Sequence, residues 1–162
     1  GTRPLLVEIQ ALTSPTSFGL PRRNANGVDY NRLLMITAVL TKRARLSLGS
    51  QDIIVNVVGG IRVNEPAADL GIALAIASSL RNSRVNPDMV AIGEVGLSGE
   101  LRAVSRLEKR LAEAAKLGFK FCLLPPLHAE QRMPPEIEPI AASSLSQAIR
   151  LGLEGQLSEA GE

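Results

Sequence analysis

The stretch VVGGIRVNEPAADLGIALAIASSL, residues 57–80, determines the fold class of this chain. It begins with the end of a β-branched run, residues 52–58, which the alternation predicts to be a strand that stops at Gly59. Pro66 then opens a segment that is apolar on nearly all sides, which predicts a buried helix as far as Leu80. A strand that leads into a buried helix indicates an α/β fold with mixed sheets packed against helices.

The rest of the chain alternates between strand and helix signals in the same way. Asp29 lies in the first turn of one predicted helix, and Ser105 with Glu108 has the spacing of a capping box at the start of another. Gly118 is a typical C-terminal stop. The predicted elements are strand 3–12, loop 13–27, helix 28–46, strand 52–58, helix 66–80, a hairpin formed by 89–95 and 98–104, helix 105–118, strands 119–125 and 137–141, helix 144–153 and a disordered tail over 154–162.

Length and composition favour one globular domain. The chain has 162 residues, of which 45% are hydrophobic, 21% are charged and only 2% are aromatic, so its core has to consist of Leu, Ile, Val and Ala. The single cysteine, Cys122, excludes an internal disulfide and is typical of a cytoplasmic protein. No apolar run reaches about 18 residues, so we expect no contact with a membrane.

Several kinds of chemistry lack the residues that they need. The P-loop motif does not occur, which excludes ATP hydrolysis by a P-loop. Gly93, Gly96 and Gly99 recur every three residues, a spacing that fits a hairpin better than a phosphate site. The single histidine, His128, and Cys122 cannot form a zinc site alone. They offer a nucleophile and a base on paper, but Cys122 lies in an apolar strand, where an inert thiol is favoured.

The charge is unevenly distributed along the chain. Residues 1–64 carry eight basic and three acidic side chains, residues 65–120 eight and seven, and residues 121–162 two and six. The net charge of +2 therefore arises from a basic first third and an acidic last part. A basic region indicates a polyanionic partner, although a solvated surface would have the same composition.

Several segments resemble the proteolytic domain of Lon protease: DIIVNVVGG at 52–60, the helix start at 71–73, GEVGLSGELRAV at 93–104, and the amphipathic helix before FCLLPP. Over about residues 1–126 the chain more closely resembles the C-terminal Lon protease-like domain of the RadA (Sms) family of bacterial DNA-repair proteins. That resemblance is carried by GTRPLLVEIQAL, GLPRRNANGVDYNRLLMITAVL, VNVVGGIRVNEPAADLGIALAIASS and GEVGLSGELRAV.

The resemblance to Lon implies a serine–lysine catalytic pair, and neither residue is present here. Asp69 occupies the serine position and Arg110 the lysine position; a register shifted by one residue would offer Lys109 but still no serine. Aspartate has no hydroxyl nucleophile and arginine stays protonated, so we expect no peptidase activity and no enzymatic role for this domain. Since both positions would share one pocket, we also predict an ion pair between Asp69 and Arg110, although a helix-dipole role for Asp69 and a surface role for Arg110 are the simpler alternatives.

The resemblance to RadA implies a Lon-like domain over residues 1–153 that binds DNA and assembles into a six-membered ring. It also implies a zinc finger and an ATPase that this chain does not contain, so ATP, Mg and Zn are expected there and no cofactor or metal here. Low aromatic content favours contacts to the DNA backbone over base stacking. The alternative is an oligomerisation module that does not contact DNA. The predicted DNA-binding residues are Arg22, Arg23, Arg32, Lys42, Arg43, Arg45, Arg62, Arg106 and Arg110.

Overall fold

The computed structural model describes residues 6–153, and its first sheet has three strands in the order β1-β3-β2. Strand β1 spans Ile9–Pro15, β2 spans Arg23–Asn26 and β3 spans Gln51–Val57. Strand β1 is antiparallel to β3, whereas β2 is parallel to it. The strand predicted at β3 is confirmed. The strand predicted over 3–12 is confirmed only in its second half, because β1 begins at Ile9; residues 3–5 lie outside the described range.

Strand β2 lies within the stretch 13–27 that the sequence predicts to be a loop, so that prediction is wrong at both ends of the stretch. The sequence of β2, RNAN, contains no apolar alternation. Its extended conformation comes from pairing with β3, beginning where the Ile53 N–H donates to the Arg22 carbonyl at 2.9 Å. A polar edge strand leaves no periodic signal in the sequence.

Helix α1, Tyr30–Arg43, connects the parallel strands β2 and β3 and confirms the predicted helix with shorter ends. Its N-cap is Asp29, whose carboxylate accepts from the Arg32 N–H at 3.0 Å. After β3 the chain turns at two glycines of positive φ, and a 3-10 turn, Pro66–Ala68, leads directly into helix α2, Asp69–Arg81. The predicted buried helix is therefore confirmed.

The second sheet is entirely parallel, in the order β4-β7-β8, and a separate two-stranded hairpin lies between its first two strands in the chain. The sheet strands are β4 (Met89–Ala91), β7 (Phe121–Leu124) and β8 (Glu138–Ala141), and the hairpin strands are β5 (Glu94–Val95) and β6 (Leu101–Arg102). The predicted hairpin is confirmed for β5 and β6, but β4 belongs to the sheet. The strands predicted over 119–125 and 137–141 are also confirmed, as β7 and β8.

Helices α3, Leu107–Lys116, and α4, Leu145–Gly152, complete the fold. The predicted capping box at Ser105 is wrong, because the N-cap is Arg106 in a left-handed conformation and no side chain caps the helix. Instead the Ser105 carbonyl accepts from the Arg110 side chain at 3.1 Å. Gly118, at a φ of +89°, ends α3 as predicted.

Helix α2 is the centre of the core. It packs against β1, α1 and α4, and seven of its residues are buried. A smaller apolar cluster lies between α3 and β7 and includes Leu111 and Leu124. No helix within residues 6–153 is both long and apolar enough to cross a bilayer. The predicted tail over 154–162 lies outside the described residues.

Candidate functional site

Asp69, at the first residue of α2, is completely buried and binds Arg32 of α1. The Arg32 guanidinium donates through Nε to Asp69 Oδ1 and through Nη2 to Oδ2, the latter at 2.7 Å. The backbone N–H of Val95 in β5 donates to Oδ2 at 3.1 Å. The carboxylate therefore joins α1, α2 and the hairpin at one buried point.

Arg110 does not bind Asp69, so the predicted ion pair between them is wrong. Arg110 is only 5% exposed, and its Nη2 lies 2.8 Å from Glu65 Oε2, just before the 3-10 turn. Its Nε donates to the Ser105 carbonyl. Asp69 and Arg110 both lie near the start of α2, but each pairs with a different residue of opposite charge: Asp69 with Arg32 and Arg110 with Glu65.

The pKa values of both members of the Arg32–Asp69 pair are raised, but for different reasons. Removal from water raises the pKa of Asp69, and this effect exceeds the opposing hydrogen bonds from Arg32 and Val95. The hydrogen bond to Asp69 raises the pKa of Arg32, so the guanidinium remains charged. Burial opposes the charged form of both side chains, and for Asp69 it is the largest influence on the pKa.

Three of the nine predicted DNA-binding side chains are engaged inside the domain. Arg23 is not on a free loop, because its guanidinium donates to the carbonyls of Gln51 and, at 3.0 Å, Leu48. Arg32 is turned towards Asp69, and Arg110 is buried against Glu65. Their donors are directed at protein oxygens, so each of these three side chains would have to give up contacts within the domain to bind a phosphate.

The other six predicted side chains are exposed, and four of them lie at one end of the first sheet. The end of α1, the start of β3 and the start of β2 meet there, since β2 and β3 are parallel and joined by α1. We call these four side chains the basic end: Arg22, Lys42, Arg43 and Arg45. Within residues 6–153, none of the four forms an ion pair with a carboxylate.

Arg62 and Arg106 lie elsewhere, so the exposed candidates do not form a single track. Arg62 follows the end of β3, at the opposite end of the sheet from the basic end, and lines a groove of about 1450 Å³ beside β1 and α2. Arg106 precedes α3. The basic end is therefore the one place in the described chain where four of the candidate side chains come together.

A loop of residues 16–22 projects from the same end of the sheet. Phe18 is 90% exposed and Leu20 is 88% exposed. Gly19 between them has a φ of +81°, and a Cβ built on it would meet no atom within 4 Å. Phe18 and Leu20 are not among the residues predicted from the sequence, although one aromatic residue beside a glycine in a polar loop is a readable signal.

Asp52, the second residue of β3, fastens both ends of this loop. Its Oδ1 accepts from the Thr16 hydroxyl at 3.0 Å and from the Arg22 N–H at 2.8 Å. The Thr16 N–H donates to the Ser50 carbonyl at 2.9 Å. The hydrogen bonds from Arg22 and Thr16 lower the pKa of Asp52, which favours its ionised form.

Replacing Asp52 with alanine is expected to loosen the loop, because both of its ends lose their shared acceptor. Backbone amides of residues 16–22 should exchange with solvent faster than in the unaltered chain, while those of α2 should not change. Hydrogen exchange followed by mass spectrometry measures this. Asp52→Asn, which keeps an acceptor oxygen, should show a smaller increase, and equal exchange in all three proteins would contradict the proposed fastening.

Cys122 is confirmed as a buried thiol in β7, and burial raises its pKa to about 12. His128 is exposed on the connection after β7. A thiol with so high a pKa is almost entirely protonated at neutral pH, so the Cys122–His128 alternative is not supported. Among residues 6–153 there is no group of three or more His, Cys, Asp or Glu side chains arranged to hold a metal ion.

Comparisons with known proteins point to one family and one group of relatives. The family described as subunit ChlI of Mg-chelatase matches residues 17–127. The DNA repair protein RadA of Halalkalibacterium halodurans is 54% identical over 94% of this chain and 34% of its own length. The RadA proteins of Bacillus subtilis and Escherichia coli are 52% and 44% identical over 96% and 92% of this chain. The chain spans about a third of the length of these relatives.

Proposed function

We propose that this chain, which belongs to the family described as subunit ChlI of Mg-chelatase, is a DNA-binding, ring-forming domain without peptidase activity. Its similarity to a region of DNA repair proteins supports the DNA-binding part. The proposal identifies it as the Lon protease-like domain of a RadA-type repair and recombination ATPase. No cofactor or metal enters the proposal.

The observation that carries the DNA-binding part is the basic end. Four exposed cations lie at one end of a sheet, and no carboxylate within residues 6–153 neutralises them by a direct ion pair. The Nε–H of Arg43 donates a hydrogen bond to the Leu97 carbonyl at 3.3 Å. This bond orients the side chain and leaves its terminal nitrogens for another acceptor. Phosphate oxygens are the acceptors that Arg and Lys most often meet on nucleic acid.

The absence of peptidase activity rests on what occupies the two catalytic positions. Asp69 is buried and holds Arg32, so it is neither a nucleophile nor open to a substrate. Arg110 is buried against Glu65 and cannot act as a base, because arginine does not lose its proton in proteins. We expect an unstructured peptide to remain intact when it is incubated with the chain, which mass spectrometry of the peptide tests directly.

Ring assembly is the other part of the proposal, and it would strengthen DNA binding by bringing several basic ends onto one molecule of DNA. Sedimentation velocity at several protein concentrations tests for it. The alternative, an oligomerisation module without DNA contact, predicts the same assembly but no dependence of DNA affinity on the basic end.

Replacing Lys42, Arg43 and Arg45 together with glutamine is expected to weaken duplex binding at every sequence tested. Each phosphate contact that is lost should reduce the slope of log affinity against log salt by about one unit, because each contact releases counterions. Fluorescence anisotropy of a labelled duplex at several salt concentrations measures both quantities.

The matched control is Lys109, Lys116 and Lys120 changed to glutamine, which removes the same charge from exposed positions on and after α3. This control should keep the slope of the unaltered chain. If both triple variants lose equal affinity, only net charge matters; if neither does, the basic end does not bind DNA and the alternative of a purely structural module stands.

A further inference from the structure

The loop of residues 16–22 presents apolar surface that the domain itself does not use. Phe18 and Leu20 are the two most exposed large hydrophobic side chains in the described part of the chain, at 90% and 88%. Isolated exposed apolar residues are common on proteins. Here, however, Phe18 and Leu20 flank Gly19 at the tip of the loop, and there is open space around that glycine. A partner can therefore reach the two side chains from several directions.

The base of the loop is held while its tip is free. Pro15 is the last residue of β1, and Pro21 lies just before β2, so two residues with restricted φ frame the loop. The Asp52 carboxylate accepts hydrogen bonds from Thr16 and Arg22, the first and last residues of the loop. Phe18 is therefore carried on a short support with fixed ends, which limits the entropy lost when its ring makes a contact.

The charges around the tip indicate what the partner is. Arg22 is the last residue of the loop. The connection between α1 and β3, which contains Arg45 and follows Lys42 and Arg43, passes beside it, since Thr16 binds Ser50 and Arg23 binds Leu48. An apolar partner surface would gain nothing from these cations, none of which forms an ion pair with a carboxylate within residues 6–153. A nucleic acid offers phosphates to the cations and flat base faces to the ring.

We infer that Phe18 is a base-stacking contact, supported by Leu20, that gives the basic end a preference for DNA with unstacked bases over intact duplex. This inference rests on the proposed DNA-binding function and adds to it the class of DNA. In an intact duplex the base faces are covered by their neighbours, whereas in single strands, ends and junctions they are open to an aromatic ring. The few aromatic residues of this chain do not oppose this, because a single exposed ring suffices for one stacking contact.

The test compares three variants of Phe18 on oligothymidylate and on a covalently closed circular duplex, which has no ends. Phe18→Ala and Phe18→Leu should both weaken single-strand binding about 5- to 10-fold, the lower part of the range for one stacked base, and leave duplex binding unchanged. Phe18→Trp should retain affinity. Because the unaltered chain contains no tryptophan, the tryptophan fluorescence of the Phe18→Trp variant reports on this position alone. Oligothymidylate should quench it.

Leucine separates stacking from simple apolar contact, since it keeps the hydrophobic surface but has no π-face. If Phe18→Leu binds oligothymidylate as well as the unaltered chain, or Phe18→Trp is not quenched, the inference is overturned. It is also overturned if Phe18→Ala changes the sedimentation coefficient and Phe18→Leu does not, because the loop is then a contact between protein copies. Leu117→Ala, an exposed apolar position after α3, is the control and should change nothing.

The outcomes also separate this inference from the proposed function. If the glutamine triple variant of the basic end loses affinity but Phe18→Ala does not, DNA binding stands and stacking falls. If the unaltered chain binds neither oligothymidylate nor the circular duplex at low salt, both fall.

Discussion

Replacing Arg32 with leucine is expected to lower the free energy of unfolding by about 3 kcal/mol, because it leaves a buried carboxylate without its counter-charge. Asp69 would keep only the Val95 N–H as a hydrogen-bond donor among the described residues. The value is at the lower end for buried pairs, because the Arg32 side chain is 25% exposed and water already reaches it. Urea unfolding followed by circular dichroism measures the change.

The loss in Arg32→Leu should depend on pH in a direction set by Asp69. Burial already raises the pKa of Asp69, and removing the guanidinium raises it further. A carboxyl whose pKa is higher in the folded than in the unfolded state favours folding below about pH 4, and this contribution is lost as the pH rises through the folded-state pKa. The deficit of Arg32→Leu should therefore be smallest near pH 4 and largest at neutral pH.

Two further variants test the cause. Arg32→Leu combined with Asp69→Asn removes both charges and should recover most of the stability at neutral pH, since no charge is left buried. Arg102→Leu removes an exposed partner of Glu100 and of Glu94 and should change stability by less than about 1 kcal/mol. A deficit that is equal at pH 4 and pH 7 would show that the charge of Asp69 is not responsible.

The same variant decides the role of Arg32 in DNA binding. Its guanidinium is directed at Asp69, with Glu94 a further 3.8 Å contact, so the folded Arg32→Leu protein should keep the salt dependence of DNA binding of the unaltered chain. A slope that falls by about one unit would restore Arg32 to the phosphate contacts predicted from the sequence.

Replacing Gly27 with alanine is expected to cost about 3 kcal/mol as well, from two separate causes. Gly27 has a φ of +87°, a conformation that costs an L-residue about 1–2 kcal/mol. An added Cβ would lie 2.5 Å from the Ile61 carbonyl oxygen and 2.8 Å from Val57 Cβ, and crowding of this kind costs about 1–3 kcal/mol. Gly27 also accepts from the Val63 N–H at 2.6 Å, so the displaced segment would include Arg62.

Two other glycines serve as controls for the two causes. Gly19 has a positive φ but open space, so Gly19→Ala should cost only the backbone strain, about 1 kcal/mol. Gly49 has open space and no positive φ, and Gly49→Ala should change stability by less than about 0.5 kcal/mol. The urea concentration at the unfolding midpoint should be lowest for Gly27→Ala, intermediate for Gly19→Ala and highest for Gly49→Ala. If Gly27→Ala were no worse than Gly19→Ala, the contact with Ile61 would have no energetic effect.

The candidate site was only partly readable from the sequence. Lys42, Arg43 and Arg45 are predicted from their place at the end of a helical pattern in the basic part of the chain, and the structure leaves all three exposed. Arg23 and Arg110 have the same chemical groups, but the structure turns them towards backbone carbonyls and Glu65. A guanidinium on the surface and one inside the domain look alike in a sequence, because what separates them is the distance to acceptors on other elements.

The sequence by itself determined the elements that depend on near neighbours in the chain. Helix α2 follows from an apolar run opened by Pro66, α1 begins at its own cap Asp29, and α3 stops at Gly118. These are interactions over a few residues, so their signals survive in the linear order. Tertiary structure alone decided that RNAN is a strand, since only pairing with β3 makes it one. It also decided that Asp69 meets Arg32 rather than Arg110, because the partner of a buried charge is the one that packing brings within reach, at a separation of 37 residues that no local pattern encodes.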